Sequence, residues 1–260
     1  MAKIAWQGLT LPILLLALPF AASAQDAATV LGPTADALRV GEVESLTLTA
    51  SGSGYARDSS GETPQPAGSA AATNAAAGTV DPGSPLFVPP PPPPERSYFR
   101  IVSHVQTLDL DAESLSIEQV RAATSAPDAE RSAPSATTID SSADWSLRHR
   151  YWLTPHAFVA GALAGNASVG TETASGVEYR VVSFTIDGGR EVRGYVDSED
   201  RLVRVRTTVE SPDGGTLDVI ESFFDWSDQG ELTYPSTLIR KENGELAEVL
   251  IVQEIDAASS

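Results

Sequence analysis

The 260-residue chain contains no cysteine, and that absence removes disulfides, iron–sulfur clusters, thiolate zinc sites, a thiol nucleophile and the lipid-modified cysteine of a bacterial lipoprotein. Its three histidines, His104, His149 and His156, are too far apart in sequence for a metal-binding spacing. There is no G-x-S-x-G elbow, and Gly52-Ser53-Gly54 lacks the strand–turn–helix setting of a phosphate loop. The carboxylates Asp109 and Asp111, like Glu199 and Asp200, sit beside turns without the further ligands of a calcium loop. Positive charge is scarce as well. Seventeen Lys and Arg face 35 Asp and Glu, a formal charge of −18, so a phosphate backbone would be repelled and nucleic acid is not expected as a partner. Neither a catalytic constellation nor a cofactor motif is legible, so the expectation is a non-enzymatic protein without a cofactor.

Long hydrophobic runs are missing too, except at the start. Lys3, the apolar stretch Leu9–Phe20 and the small residues Ala22-Ser23-Ala24 form the three parts of an export signal. Pro12 and Pro19 interrupt a run that is shorter than the roughly 20 apolar residues of a membrane span. Cleavage after Ala24 is expected, leaving residues 25–260 periplasmic or secreted, with no stable membrane anchor.

The remaining chain divides by composition. Residues 25–53 are read as a lead-in, with a short helix near Ala35–Val40, and a first strand in which Leu46 and Leu48 alternate with Thr47 and Thr49. Residues 54–96 are rich in Pro, Ala and Gly and end in the six prolines Pro89–Pro94. So little apolar surface cannot offset ordering entropy, so this insert is expected to be disordered with a short polyproline rod. Residues 97–122 read as strands. In them Tyr98, Arg100 and Val102 face one way and Phe99, Ile101 and Ser103 the other. Residues 123–144 read as a loop.

Residues 145–256 read as a helix followed by an antiparallel meander. Thr154 caps the helix, Pro155 takes its first position, and Gly165-Asn166 ends it. Turn pairs at Asp187-Gly188-Gly189, Glu199-Asp200, Asp213-Gly214-Gly215, Gln229-Gly230 and Asn243-Gly244 separate alternating apolar runs. In one run Val203, Val205, Thr207 and Val209 face the dry side. Pro235 confines its strand to an edge or a bulge. The fold expected is mainly β (α+β): a curled antiparallel sheet or half-open barrel on one short helix, with long disordered inserts.

Several of these residues bear a family likeness. Trp152, Thr154-Pro155-His156 and Asn166, then Val181–Phe184, then Val203-Arg204-Val205, and finally Asp225, Tyr234 and Pro235 resemble the N-terminal, non-catalytic region of exported metallo-β-lactamase-fold hydrolases. The His-x-His-x-Asp-His signature of the hydrolase domain is absent, so the resemblance implies no hydrolytic activity. The sheet-and-helix shape it implies is similar to that of periplasmic lipoprotein carriers. Three functions are therefore open: binding of a partner protein or apolar ligand, carriage of lipid or lipoprotein, or service as an accessory domain to a separately encoded metallo-hydrolase. The candidate ligand-binding residues are the aromatics Trp152, Phe158, Phe184, Phe224 and Trp226, beside Tyr151 and Phe223, which could line the concavity of a curled sheet.

Overall fold

A helical crossover carries the chain from one edge of a wide antiparallel sheet to the other, and this connection determines where the core lies. The computed structural model describes residues 26–57, 96–123, 134–186, 188–211 and 214–259. Residues 1–24, where an export signal is expected, most of the Pro/Ala/Gly-rich insert and residues 124–133 lie outside the described residues.

The strands are β1 (Val43–Arg57), β2 (Arg96–Asp109), β3 (Ser114–Ala123), β4 (Ser135–Ile139), β5 (Ser168–Ala174), β6 (Val177–Ile186), β7 (Arg190–Val196), β8 (Leu202–Glu210), β9 (Thr216–Gln229), β10 (Leu232–Glu242) and β11 (Glu245–Ser259). They form one open sheet in the order β4-β3-β2-β1-β11-β10-β9-β8-β7-β6-β5. All the pairings are antiparallel, as a chain of hairpins requires. β4 shows that residues 123–144 are not wholly a loop: Ile139 pairs with Leu115 and is buried, while the rest of this short edge strand is small or polar and largely exposed.

Three helices among the described residues, rather than one, cover the sheet: α1 (Ala27–Leu38), α2 (Trp145–Trp152) and α3 (Pro155–Ala164). Each starts on a side-chain cap of the expected kind. Asp26 accepts from Ala28 N, Asp144 from Ser146 N, and Thr154 from Ala157 N, with Pro155 at the first turn of α3. α1 begins well before the short helix expected at Ala35–Val40. Its small residues hide the apolar period, and Val30, Leu31 and Leu38 are fully buried. The helix stops where Arg39 turns left-handed at φ 52°.

Polar contacts pin α1 and α2 to the sheet. Trp145 Nε1 donates to Thr208 O at 2.9 Å and fixes α2 on β8. Thr34 Oγ1 donates to Asp200 O at 2.6 Å and ties α1 to the β7–β8 turn. α3 can lie close because it is made of small residues: Ala157 and Ala162 are fully buried, and Phe158 rests on Gly194 of β7. A Cβ at Gly194 would stand 2.2 Å from Phe158 Cζ, so only glycine permits that contact. The resulting core is one continuous cluster that includes Leu48, Ile101, Phe158, Val205, Phe223 and Tyr234.

Register shifts in β7–β8 and in β2 alter the simple alternation. Between Tyr195 and Val196 the register slips, so Leu202 rather than Val203 is buried, while Val205, Thr207 and Val209 face inward as expected. In β2 the register slips between Ile101 and Ser103, and the inward set becomes Ile101, His104 and Leu108. Pro235 lies in the interior strand β10, opposite Trp226. The β11 partners begin only at Thr237, so Pro235 occupies a locally open stretch.

Candidate functional site

The five candidate aromatics do not form one groove. Trp152 and Phe184 meet at 5.7 Å between ring centroids with planes at 70°, and Phe158 stands 5.5 Å from Phe184. Phe158, however, is wholly enclosed between α3 and β7 and belongs to the core. Phe224 is 46% exposed on the outer side of the sheet, because Phe223 takes the inward position beside it. Trp226 would follow it outward, but Asp225 adopts a left-handed backbone (φ 55°). This brings Trp226 against Tyr234, 6.5 Å between centroids, at the margin of the core.

What Trp152 and Phe184 do share is the wall of a cleft of about 740 Å³ between the α2–α3 helices and strands β5 and β6. Gly161 and Ile186 complete its apolar side. The rim is polar, with Asn166, Ser168 and the ion pair Arg148–Glu113 at 3.2 Å. Gly161 leaves room for the indole: a Cβ there would lie 2.5 Å from Trp152 Cζ3. Among the described residues the buried Trp152 Nε1 has no hydrogen-bond partner. The volume falls within the range of ligand pockets, and a mostly polar lining with apolar contact confined to the edges of the largely buried Trp152 and Phe184 rings suits an amphipathic molecule.

A second constellation, which the sequence did not signal, lies on the inner face of β2, β3, β9, β10 and β11. Arg240 Nε donates to Glu221 Oε2 at 3.0 Å, and its Nη2 lies 3.2 Å from Glu248 Oε2. Gln119 Nε2 donates to Glu248 Oε1 at 2.8 Å and lies 3.2 Å from His104 Nδ1. All of these groups are buried or nearly so. Burial pushes the Glu221 carboxyl up. For Glu248, burial acts the same way, but the Arg240 and Arg150 charges outweigh it and hold the group below the usual carboxylate range. Burial would weaken the Arg240 guanidinium, yet its two carboxylate partners raise its pKa. His104 is held below its ordinary value chiefly by burial.

The three imidazoles have separate partners. His104 bonds Gln119 and Gln106, His149 Nδ1 donates to Trp145 O at 3.0 Å, and His156 Nε2 donates to Leu38 O at 2.9 Å while stacking on Tyr234. Among the described residues no group of three or more His, Asp or Glu is placed to hold a metal.

The geometry thus defines a class, an open antiparallel sheet wrapped around three helices with a ligand-sized cleft at their margin. No family model matches the chain. No curated protein matches it either. The resemblance to the N-terminal region of metallo-β-lactamase-fold hydrolases gains no support from these comparisons. Two solved structures are similar in outline. A LolA superfamily protein from Nitrosomonas europaea is 13% identical, with a TM-score of 0.42 over 91% of this chain and 96% of its own. A domain from Vibrio parahaemolyticus, named as an outer membrane lipoprotein-sorting protein, is 8% identical, with a TM-score of 0.38 over 90% of this chain and 92% of its own. At these scores no functional feature passes from those chains to this one.

Proposed function

We propose that the protein is an exported, non-enzymatic binding protein that takes an amphipathic ligand in the cleft beside α2 and α3, in the manner of a lipid carrier. The single observation that carries this reading is the Trp152–Phe184 wall of a cleft large enough for a small ligand. The apolar body of the ligand packs on those rings and Ile186, and its polar end meets the Arg148–Glu113 rim. The export signal at residues 1–24 supports an address outside the cytoplasm. No helix among the described residues is long and apolar enough to cross a membrane.

The ligand does not enter the sheet's concavity in this conformation. Phe158, Phe223 and Tyr234 fill it and are at most 2% exposed, so a carrier that swallowed an acyl chain there would have to displace α3. The cleft is the entrance such a movement would widen.

Binding of a fluorescent fatty-acid analogue tests the reading. Ala164 lines the cleft and is exposed to solvent, so Ala164→Trp fills the space without disturbing the core. Saturable binding that weakens at least tenfold in Ala164→Trp, at unchanged Tm, is expected. Absence of saturable binding, or equal affinity in the variant, overturns the reading.

A further inference from the structure

A separate cavity of about 310 Å³ opens beside the buried polar network and shares no lining residue with the cleft. Its lip is aromatic. Phe99 lies across Gly54, where a Cβ would meet the ring at 2.6 Å, and Tyr55 meets Tyr98 at a tilt of 57° with centroids 5.2 Å apart. Its inner wall carries Arg121, Arg150 and Arg240.

Two of these guanidiniums are committed. Arg240 serves Glu221 and Glu248, while Arg121 donates to Gln119 Oε1 at 2.5 Å and sits 4.3 Å from the centre of the Phe99 ring. Arg150 is different. It projects from α2 toward this network, and among the described residues it makes no hydrogen bond or ion pair. Its Nε is shut off from solvent without an acceptor. A buried guanidinium whose nearby carboxylates, Glu221 and Glu248, act on it only through their charge while bonding Arg240 is costly to keep, and a planar anion would satisfy it in the bidentate geometry that arginine favours.

The surroundings also limit the charge of that anion. Glu242 and Glu248 line the same cavity, so a dianion would be repelled where a single negative charge is tolerated. We infer that this cavity binds a small organic monocarboxylate, with the carboxylate on the Arg150 guanidinium and an apolar or aromatic body against Phe99 and Tyr55. The site is independent of the cleft beside α2 and α3.

Calorimetric titration with 4-phenylbutyrate tests the assignment, with 4-phenylbutanol and inorganic phosphate as the neutral and polyanionic controls. Saturable binding of the carboxylate is expected, with neither control binding. Arg150→Met keeps the length of the stem but withdraws a charge that helps hold Glu248 ionised, so it should stay folded with a Tm somewhat below that of the parent. It should bind 4-phenylbutyrate at least tenfold more weakly, Arg150→Lys should lose part of the affinity, and Ala164→Trp should bind normally. No saturable binding by the parent protein, equal binding of either control, or undiminished affinity in Arg150→Met would overturn the inference.

Discussion

His156 Nε2 donates to the carbonyl of Leu38 at 2.9 Å, joining α3 to the end of α1 across 118 positions of sequence. The ring is fully enclosed, and burial favours its neutral form although the bond to Leu38 would suit the charged one; among the described residues the other ring nitrogen, Nδ1, has no partner. Burial lowers the His156 pKa to about 4 and that of His149 also to about 4.

Acid should therefore destabilise the fold before its carboxylates titrate in bulk. The unfolded chain takes up protons at imidazole near pH 6.5, while the folded chain resists until about pH 4. Between those values the unfolded state binds more protons, so stability falls as pH falls, by about 1.4 kcal/mol per imidazole per pH unit at full slope. His104 and Glu248, both depressed, act in the same direction. Glu221, raised by burial, opposes them, because its protonation is favoured in the folded state. Thermal melts at pH 7.5 and 5.0 should show a lower Tm at the acid value, with a shallower loss in a His149→Asn/His156→Gln variant. An unchanged slope in that variant would place the acid sensitivity elsewhere.

Arg240 joins two buried carboxylates, so its removal takes from both the cation that contacts them directly and leaves only the Arg150 charge nearby. Arg240→Met is expected to cost roughly 3–5 kcal/mol in denaturant unfolding, the range for breaking a buried pair from one side. Glu221→Met should cost less, because Arg240 retains Glu248 at 3.2 Å and Glu221 is already inclined to protonate. The reverse ranking would mean that Glu221, not Arg240, organises the network.

Much of the meander was legible because its turns are locally encoded. Asp200 and Asn243 adopt positive φ (63° and 51°), as do Gly188, Gly189, Gly214, Gly230 and Gly244, at the positions where Gly, Asn and Asp pairs predict hairpins. The Thr154-Pro155 start of α3 follows from capping chemistry in the same way. The buried polar network was hidden for a physical reason. Strict alternation from Phe99 and Ile101 sends Ser103 inward, but the bulge in β2 substitutes His104, and bulges depend on the partner strands rather than on the local sequence. Arg240, Glu221 and Glu248 likewise read as wet-face residues until strand pairing places Glu221 and Glu248 opposite Arg240. Of the candidate aromatics, alternation alone could have separated Phe224 from Phe223. The position of Trp226 depends on the left-handed turn at Asp225, which has no glycine to announce it.

Gly194 is a steric test of that packing. Gly194→Ala places a methyl group where Phe158 Cζ and Cε1 now stand, at 2.2 and 2.3 Å, and the ring has nowhere to go within a filled core. Overpacking of this kind should cost about 1–3 kcal/mol by chemical denaturation. The same substitution at Gly170 of β5, which faces open space, should be nearly silent. Equal effects at the two positions would contradict the packing described.

Phe184 and Phe224 should separate in the same way. Phe184→Ala removes a ring packed on both Trp152 and Phe158 and should destabilise the fold by about 3–5 kcal/mol. Phe224→Ser changes an outward side chain and should stay within about 0.5 kcal/mol of the parent, with ligand affinity unaltered. Loss of binding in Phe224→Ser would move the binding surface to the outer side of the sheet.

The pairing of β1 with β11 sets the order in which the sheet can be assembled. β1 through β4 form one wing and β5 through β10 the other, and β11 is the hinge pin that holds them together. Until Glu245–Ser259 has left the ribosome, the wings have no shared hydrogen-bonded edge, and two open strand borders wait exposed. The sheet must therefore stay in two parts until that strand emerges, an interval in which holding factors can engage it and premature edge-to-edge sticking is the hazard.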